Sequence, residues 1–142
     1  INLKDTYETR IYLMFFHFSI LMIIFKDKGK KFDQKQYDQL FNNIENNLRE
    51  LGFGDIAVNK KMKDLNKIFY DILLKIENTS IDNFNLNQKL IYRYFNDFDT
   101  SDSQIYIKFE EYFVGFYNFC FELSADNMIE ETVNYRFDYG SS

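Results

Sequence analysis

Residues 11–25 read Ile11-Tyr-Leu-Met-Phe-Phe-His-Phe-Ser-Ile-Leu-Met-Ile-Ile-Phe25, fifteen residues in which only His17 and Ser19 interrupt the apolar side chains. A helix that crosses a bilayer needs about 20 predominantly apolar residues. This run is shorter, and Lys26, Asp27 and Lys28 follow it directly. It therefore reads as the central helix of a bundle, buried on most of its sides. Asp5 with Glu8 makes a capping-box pair at its start, and Gly29 stops it.

Working outward, Asp33 with Gln36 gives a second capping signature. Behind it Tyr37, Leu40, Phe41, Ile44, Leu48 and Leu51 recur at helical spacing and form the expected inward stripe. Gly52 stands where a C-cap glycine belongs, and Asp55 is placed to cap a third helix after a tight connection. That helix has an apolar stripe of Val58, Met62, Leu65, Phe69, Ile72 and Ile76, with Lys60, Lys63 and Lys67 together on another side. Residues 78–85 are a polar linker, 86–96 a fourth helix with Leu90, Ile91, Tyr94 and Phe95 inward, and 97–103 a second polar break. A fifth helix covers 104–122, with Ile105, Phe109, Tyr112, Phe113, Phe116 and Cys120 inward. Ser124 starts a short sixth helix, and 132–139 is either an extended tail or a short strand. No internal repeat is present. The fold class is all-α: one domain over residues 1–142, a bundle of five to six helices with a short extended C-terminal segment.

Composition narrows the functional classes. The chain has 142 residues, no Pro or Trp, 17 Phe and 11 Tyr. Phe, Tyr, Ile, Asn and Lys make up half of it. These residues have A/T-rich codons, so the aromatic load reads first as genome bias plus core packing. One Cys excludes a disulfide framework or a CxxC site, and one His excludes His-rich metal sites. Residues 1–71 carry 12 Lys/Arg against 10 Asp/Glu, and residues 72–142 carry 5 against 12. The basic stretches are 26–35 and 59–67, which read as solvated helix ends or as a surface for polyanions or membrane. The chain begins at Ile1 rather than Met, so a trimmed N-terminal segment is expected.

Chemical motifs are sparse. Gly52-x-Gly54-x-x-Ala57 matches a dinucleotide fingerprint in letters, but a long helix precedes it where a strand is needed. It reads as a helix–turn–helix corner. No Walker sequence, GxSxG, HExxH or EF-hand loop occurs. His17 reads as a buried, hydrogen-bonded structural histidine, and Cys120 as a buried thiol. Lys60, Lys61, Lys63 and Lys67 suit phosphate, rRNA or lipid headgroups, but the net charge of −5 argues against DNA as a partner. No catalytic group, cofactor or metal ligand is assigned.

Leu48-Arg-Glu-Leu-Gly-Phe-Gly-Asp-Ile-Ala-Val-Asn-Lys-Lys-Met-Lys63, followed by Phe69-Tyr70, resembles the central signature of the ubiquinol–cytochrome c chaperone family. Asp5-Thr6, Arg10, Leu13 and His17 are similar to its first helix, and Gln36, Leu40 and Phe41 to a second motif. Residues 86–95 and 133–139 resemble its later segments, so most of the chain is covered. The sequence departs at Asn42, Asn59, Lys61 and Asp71, where the family has Asp, Gly, Arg and Gly. On this resemblance the candidate partner-binding residues are Arg10, His17, Arg49, Glu50, Gly52 and Gly54. Asp55, Lys60, Lys61, Lys63, Phe69 and Tyr70 complete that set.

The resemblance implies an assembly factor of the cytochrome bc1 complex and not an enzyme. It implies newly made cytochrome b as the client, with the ribosome and a small helical partner subunit as further partners. It places a bacterial-type member at the cytoplasmic face of the inner membrane, peripherally, and a mitochondrial member on the matrix side. The residues suit this role: Phe, Tyr and Met offer adaptable contact area, and the aromatics not buried in the bundle are expected to form the client surface. The alternative is a small all-α enzyme or ligand-binding protein with an aromatic cavity around His17, using His17 or Glu110 and Glu111. An interaction module of the same fold with a different partner is the third reading.

Overall fold

The computed structural model describes residues 7–79, 84, 86, 88–95 and 104–122. They form five helices: α1 (Tyr7–Asp27), α2 (Gln34–Glu50), α3 (Asp55–Thr79), α4 (Gln88–Tyr94) and α5 (Gln104–Phe121). No strand occurs among the described residues, and the fold is all-α. The expected sixth helix from Ser124, the tail at 132–139 and the Asp5 cap lie outside the described residues.

The apolar run becomes α1, and α1 is the centre of the bundle. Neighbouring residues on a helix point about 100° apart. Phe15 and Phe16 therefore serve different sides. Phe15 packs on Phe41 of α2 and Phe69 of α3, with ring centroids 5.6 and 5.3 Å away. Phe16 packs on Phe95, beyond α4, and on Phe109 and Phe113 of α5, at 5.2, 6.0 and 5.4 Å. Both are fully buried. Removing either ring costs about 3–5 kcal/mol by the usual range for large-to-small core changes. By length and composition α1 passes the test for a membrane-crossing helix, but here Ile20 and Ile24 are fully buried within the bundle.

Helix directions follow from contacts along α1. Its start lies beside Ile44, whose carbonyl is 3.4 Å from the Tyr7 hydroxyl, and its middle places Phe18 near Tyr37. So α2 runs antiparallel to α1. α3 runs parallel to it, from the Phe15–Phe69 contact to an ion pair between Lys26 and Glu77 at 3.9 Å. α5 is also parallel, from Phe16–Phe109 to Tyr117, whose hydroxyl is 3.4 Å from Asp27. α4 is tied to α3 by Asp71, which accepts from Arg93 Nη1 at 2.9 Å and from the Tyr94 hydroxyl.

The local signals work as chemistry predicts, with two exceptions. Asp33 caps α2 by accepting from the Lys35 N–H at 3.0 Å. At the end of α1 the Lys30 N–H reaches back to Phe25 O at 2.8 Å and Gly29 N–H to Lys26 O at 3.0 Å, with Gly29 at φ 68°. That is a Schellman ending. Leu51, expected inward, is instead 61 % exposed. It lies one residue past the last turn of α2, where the chain leaves the helix axis. Asp55 does not cap α3 but is its first helical residue.

Candidate functional site

The corner between α2 and α3 is built by two glycines. Phe53 N–H donates to Leu48 O at 3.2 Å and Gly52 N–H to Arg49 O at 3.0 Å, with Gly52 at φ 97°. This second Schellman ending needs the left-handed conformation that glycine adopts without steric cost. Gly54 O then accepts the Val58 N–H at 2.9 Å, which makes Gly54 the N-cap of α3. A Cβ at Gly54 would meet nothing within 4 Å. So short a corner leaves no room to fold its apolar side chains inward. Phe53 is 38 % exposed and Ile56 89 %, beside the exposed Leu51.

Next to this tip lies a groove of about 510 Å³ between the start of α1, the end of α2 and the first half of α3. Buried Ile11, Leu48 and Leu65 form its floor. Tyr7 and Tyr12 bound it on the α1 side, and Leu51, Phe53 and Ile68 on the other. Among the described residues three charged ones line it: Glu8, Lys61 and Asp64. The Lys61 ammonium lies 4.7 Å from the centroid of the Phe53 ring, a cation–π contact worth about 0.5–1 kcal/mol when exposed. Glu8 and Asp64 are exposed and have no ion-pair partner among the described residues. Burial, and after it the charge of Glu8, holds the Tyr7 and Tyr12 phenols above their ordinary pKa, so both stay neutral. The groove offers apolar contact and rim charge, and among the described residues it presents no nucleophile beside a base.

Several of the signature residues converge here. Arg49 donates to Asp55 across the corner and lies 3.6 Å from Glu45, which keeps its guanidinium charged. That pair braces the exit of α2 against the entry of α3. Gly52, Gly54 and Lys61 belong to the same corner, and Glu50 is exposed beside it. Lys60 and Lys63 are exposed along α3 with Lys67, and Arg10 is exposed near Tyr7. Phe69 is fully buried between α1 and α2, while Tyr70 turns outward. Among the described residues the other exposed aromatics do not join Phe53: Tyr70, Tyr92 and Phe121 lie against Phe69, Tyr106 and Tyr117. Sequence reasoning missed Tyr7, Glu8, Tyr12, Asp64 and Ile68, which meet the corner only because α1 and α3 run side by side.

His17 is half-buried between α1 and α5, away from the groove. The Leu13 carbonyl is 2.6 Å from Nδ1, and a carbonyl only accepts, so Nδ1 carries the proton. Nε2 then accepts from the Tyr112 hydroxyl at 2.7 Å. The ring packs edge-on against Phe113 and Phe116 at 5.0 and 4.8 Å. Burial lowers its pKa, outweighing the Leu13 carbonyl, and keeps the imidazole neutral. Both nitrogens have structural partners, as expected, but the residue is half-buried rather than fully buried. Glu110 and Glu111 lie along a shallow hollow on α5 with Ile107 and Val114, not with His17. Cys120 is buried, and desolvation pushes its thiol up to about 12, so it is no nucleophile near neutral pH. Among the described residues no three His, Cys, Asp or Glu side chains are grouped to hold a metal.

A family model described as ubiquinol-cytochrome C chaperone matches residues 1–104, which includes α1 to α4 and the whole corner. Comparison with curated proteins and with solved structures gave no match.

Proposed function

This chain belongs to the ubiquinol-cytochrome C chaperone family, and we propose that it holds newly made cytochrome b while the bc1 complex is assembled. One observation carries this reading. The stretch that bears the family signature builds a groove with a buried apolar floor and exposed apolar walls, including Leu51 and Phe53. Contiguous exposed apolar surface on a small domain marks a binding site. A client with many membrane spans offers matching apolar segments before it is inserted.

The action is holding rather than turnover. Of the candidates for catalysis, His17 is a neutral imidazole with both nitrogens bonded, and Glu110 and Glu111 line a shallow hollow on α5 apart from it; Cys120 is a protonated buried thiol. The chain works at the face of the inner membrane where its client is made: the cytoplasmic face in a bacterium, the matrix side in a mitochondrion. The exposed Lys60, Lys63 and Lys67 suit anionic headgroups or ribosomal RNA there. A small helical partner subunit completes the working unit.

The test is a deletion strain rescued by wild type or by Leu51→Asp, with bc1 levels and co-purified cytochrome b as readouts. Wild type restores the complex and retains cytochrome b, whereas Leu51→Asp does neither although it folds. Normal bc1 levels in the deletion strain would refute the assembly role.

A further inference from the structure

We propose that the groove selects its occupant by charge as well as by apolar contact: it takes an apolar helical segment that ends in Lys or Arg, and Glu8 and Asp64 receive the cation. This rests on the chaperone reading of the same groove and names the chemistry of what it holds.

Three features lead to this occupant. The floor of Ile11, Leu48 and Leu65 accepts only apolar side chains. The rim carries two carboxylates, and neither Glu8 nor Asp64 has an ion-pair partner among the described residues. Among the described residues the only cation lining the groove, Lys61, lies over the Phe53 ring. A segment without a positive end would leave both carboxylates unmatched as it drew near. An anionic lipid headgroup would meet them directly, so a bilayer surface fits this groove less well than a polypeptide.

The backbone of the occupant is constrained too. The groove is bounded by helices, and no strand edge is present among the described residues. An extended segment would find no partners for its N–H and C=O groups on the apolar floor. A helix brings those bonds with it and docks through side chains spaced three and four residues apart. Membrane spans carry excess Lys and Arg just beyond their apolar stretch on the side that is not translocated. The end of such a span, before insertion, has the chemistry that this groove matches.

The test uses the 142-residue chain and labelled 18-residue helical peptides with one Leu face, ending in two Lys, two Gln or two Glu. Fluorescence anisotropy should show the Lys peptide binding roughly fivefold tighter than the Gln peptide at low salt, with the Glu peptide weakest. The Lys–Gln difference should vanish in the Glu8→Gln/Asp64→Asn double variant and shrink at 0.5 M salt. Both positions are exposed, so the variant keeps the fold. Equal binding of the Lys and Gln peptides, or a double variant that still separates them, overturns charge selection. So does co-sedimentation of the peptide-free chain with phosphatidylserine-rich vesicles that Leu51→Asp abolishes, or occupation of the groove by a second copy seen as a dimer in sedimentation. If Leu51→Asp loses every peptide and bc1 assembly while the charge variants change nothing, the chaperone reading stands and charge selection falls. If Leu51→Asp keeps client capture, the groove itself is the wrong site.

Discussion

Lowering the pH from 7.5 to 5.5 should destabilise this protein through His17, the single histidine of the chain. Burial among Phe113 and Phe116 holds the native imidazole below its ordinary value of 6.5. The unfolded chain therefore takes up the proton first as pH falls. Stability is fully present above pH 6.5, declines below it, and levels off once the pH is below the native pKa. Inside that window the slope reaches about 1.4 kcal/mol per pH unit. With an m-value of about 2 kcal/mol/M, each pH unit moves the urea midpoint by up to about 0.7 M. Urea unfolding of wild type and His17→Gln across the range supplies the assay, because the difference between them cancels every other titrating group. Gln loses the paired geometry with Leu13 and Tyr112 and costs about 1–3 kcal/mol at neutral pH, yet its midpoint should fall less steeply with decreasing pH than that of the wild type. A wild-type midpoint that moves no more than that of His17→Gln between pH 7.5 and 5.5 would show that the imidazole is not held neutral by this packing.

Three further changes probe the fold around the site. Gly52→Ala puts a side chain at φ 97° and should cost about 1 kcal/mol, read as a lower melting temperature; Gly54, whose φ is not positive, should tolerate Ala better. Ser19 is fully buried in α1 and its hydroxyl has no hydrogen-bond partner among the described residues, so Ser19→Ala should raise stability by about 1 kcal/mol, or roughly 3 °C in a thermal melt. For Asp71, burial opposes ionisation but the hydrogen bonds from Tyr94 and Arg93 outweigh it, and its carboxyl titrates below the ordinary 3.8. That stability is present above pH 3.8 and is lost as pH falls through the native value, so Asp71→Asn should unfold with a weaker acid dependence below pH 4.

The helices were legible in the sequence where burial follows periodicity. Phe41, Ile44 and Leu48 in α2, and Val58, Leu65, Phe69, Ile72 and Ile76 in α3, are all buried where the spacing puts them. Leu51 breaks the rule because spacing describes a helix that continues, and α2 stops one residue earlier. The structural role of His17 was legible from its place in an apolar run. The groove was not. Its floor joins Ile11, Leu48 and Leu65, one from each of α1, α2 and α3, which are far apart in the chain and brought together only by the packing of these three helices. Glu8 carries no mark in the sequence beyond a helix-start acid. Its position over the groove depends on where α2 ends.

The biased composition sharpens this point. A chain rich in Phe, Asn and Lys can meet the needs of a bundle simply by sorting: Phe15, Phe69, Phe109 and Phe113 go to the core, and Asn42, Asn43, Asn46 and Asn47 go to the outer side of α2. Sorting of that kind satisfies the binary pattern that specifies a helical fold, whatever codons supplied the residues. Places where sorting fails are therefore more informative than the abundance of any residue. Leu51, Phe53 and Ile56 are apolar, exposed and adjacent, and lie on a corner where polar residues would have cost the fold nothing. Local rules broken without benefit to stability are expected at functional sites. The aromatic load as a whole says little about function, while one exposed ring, Phe53 with Lys61 laid across it, lines the groove proposed to hold the client.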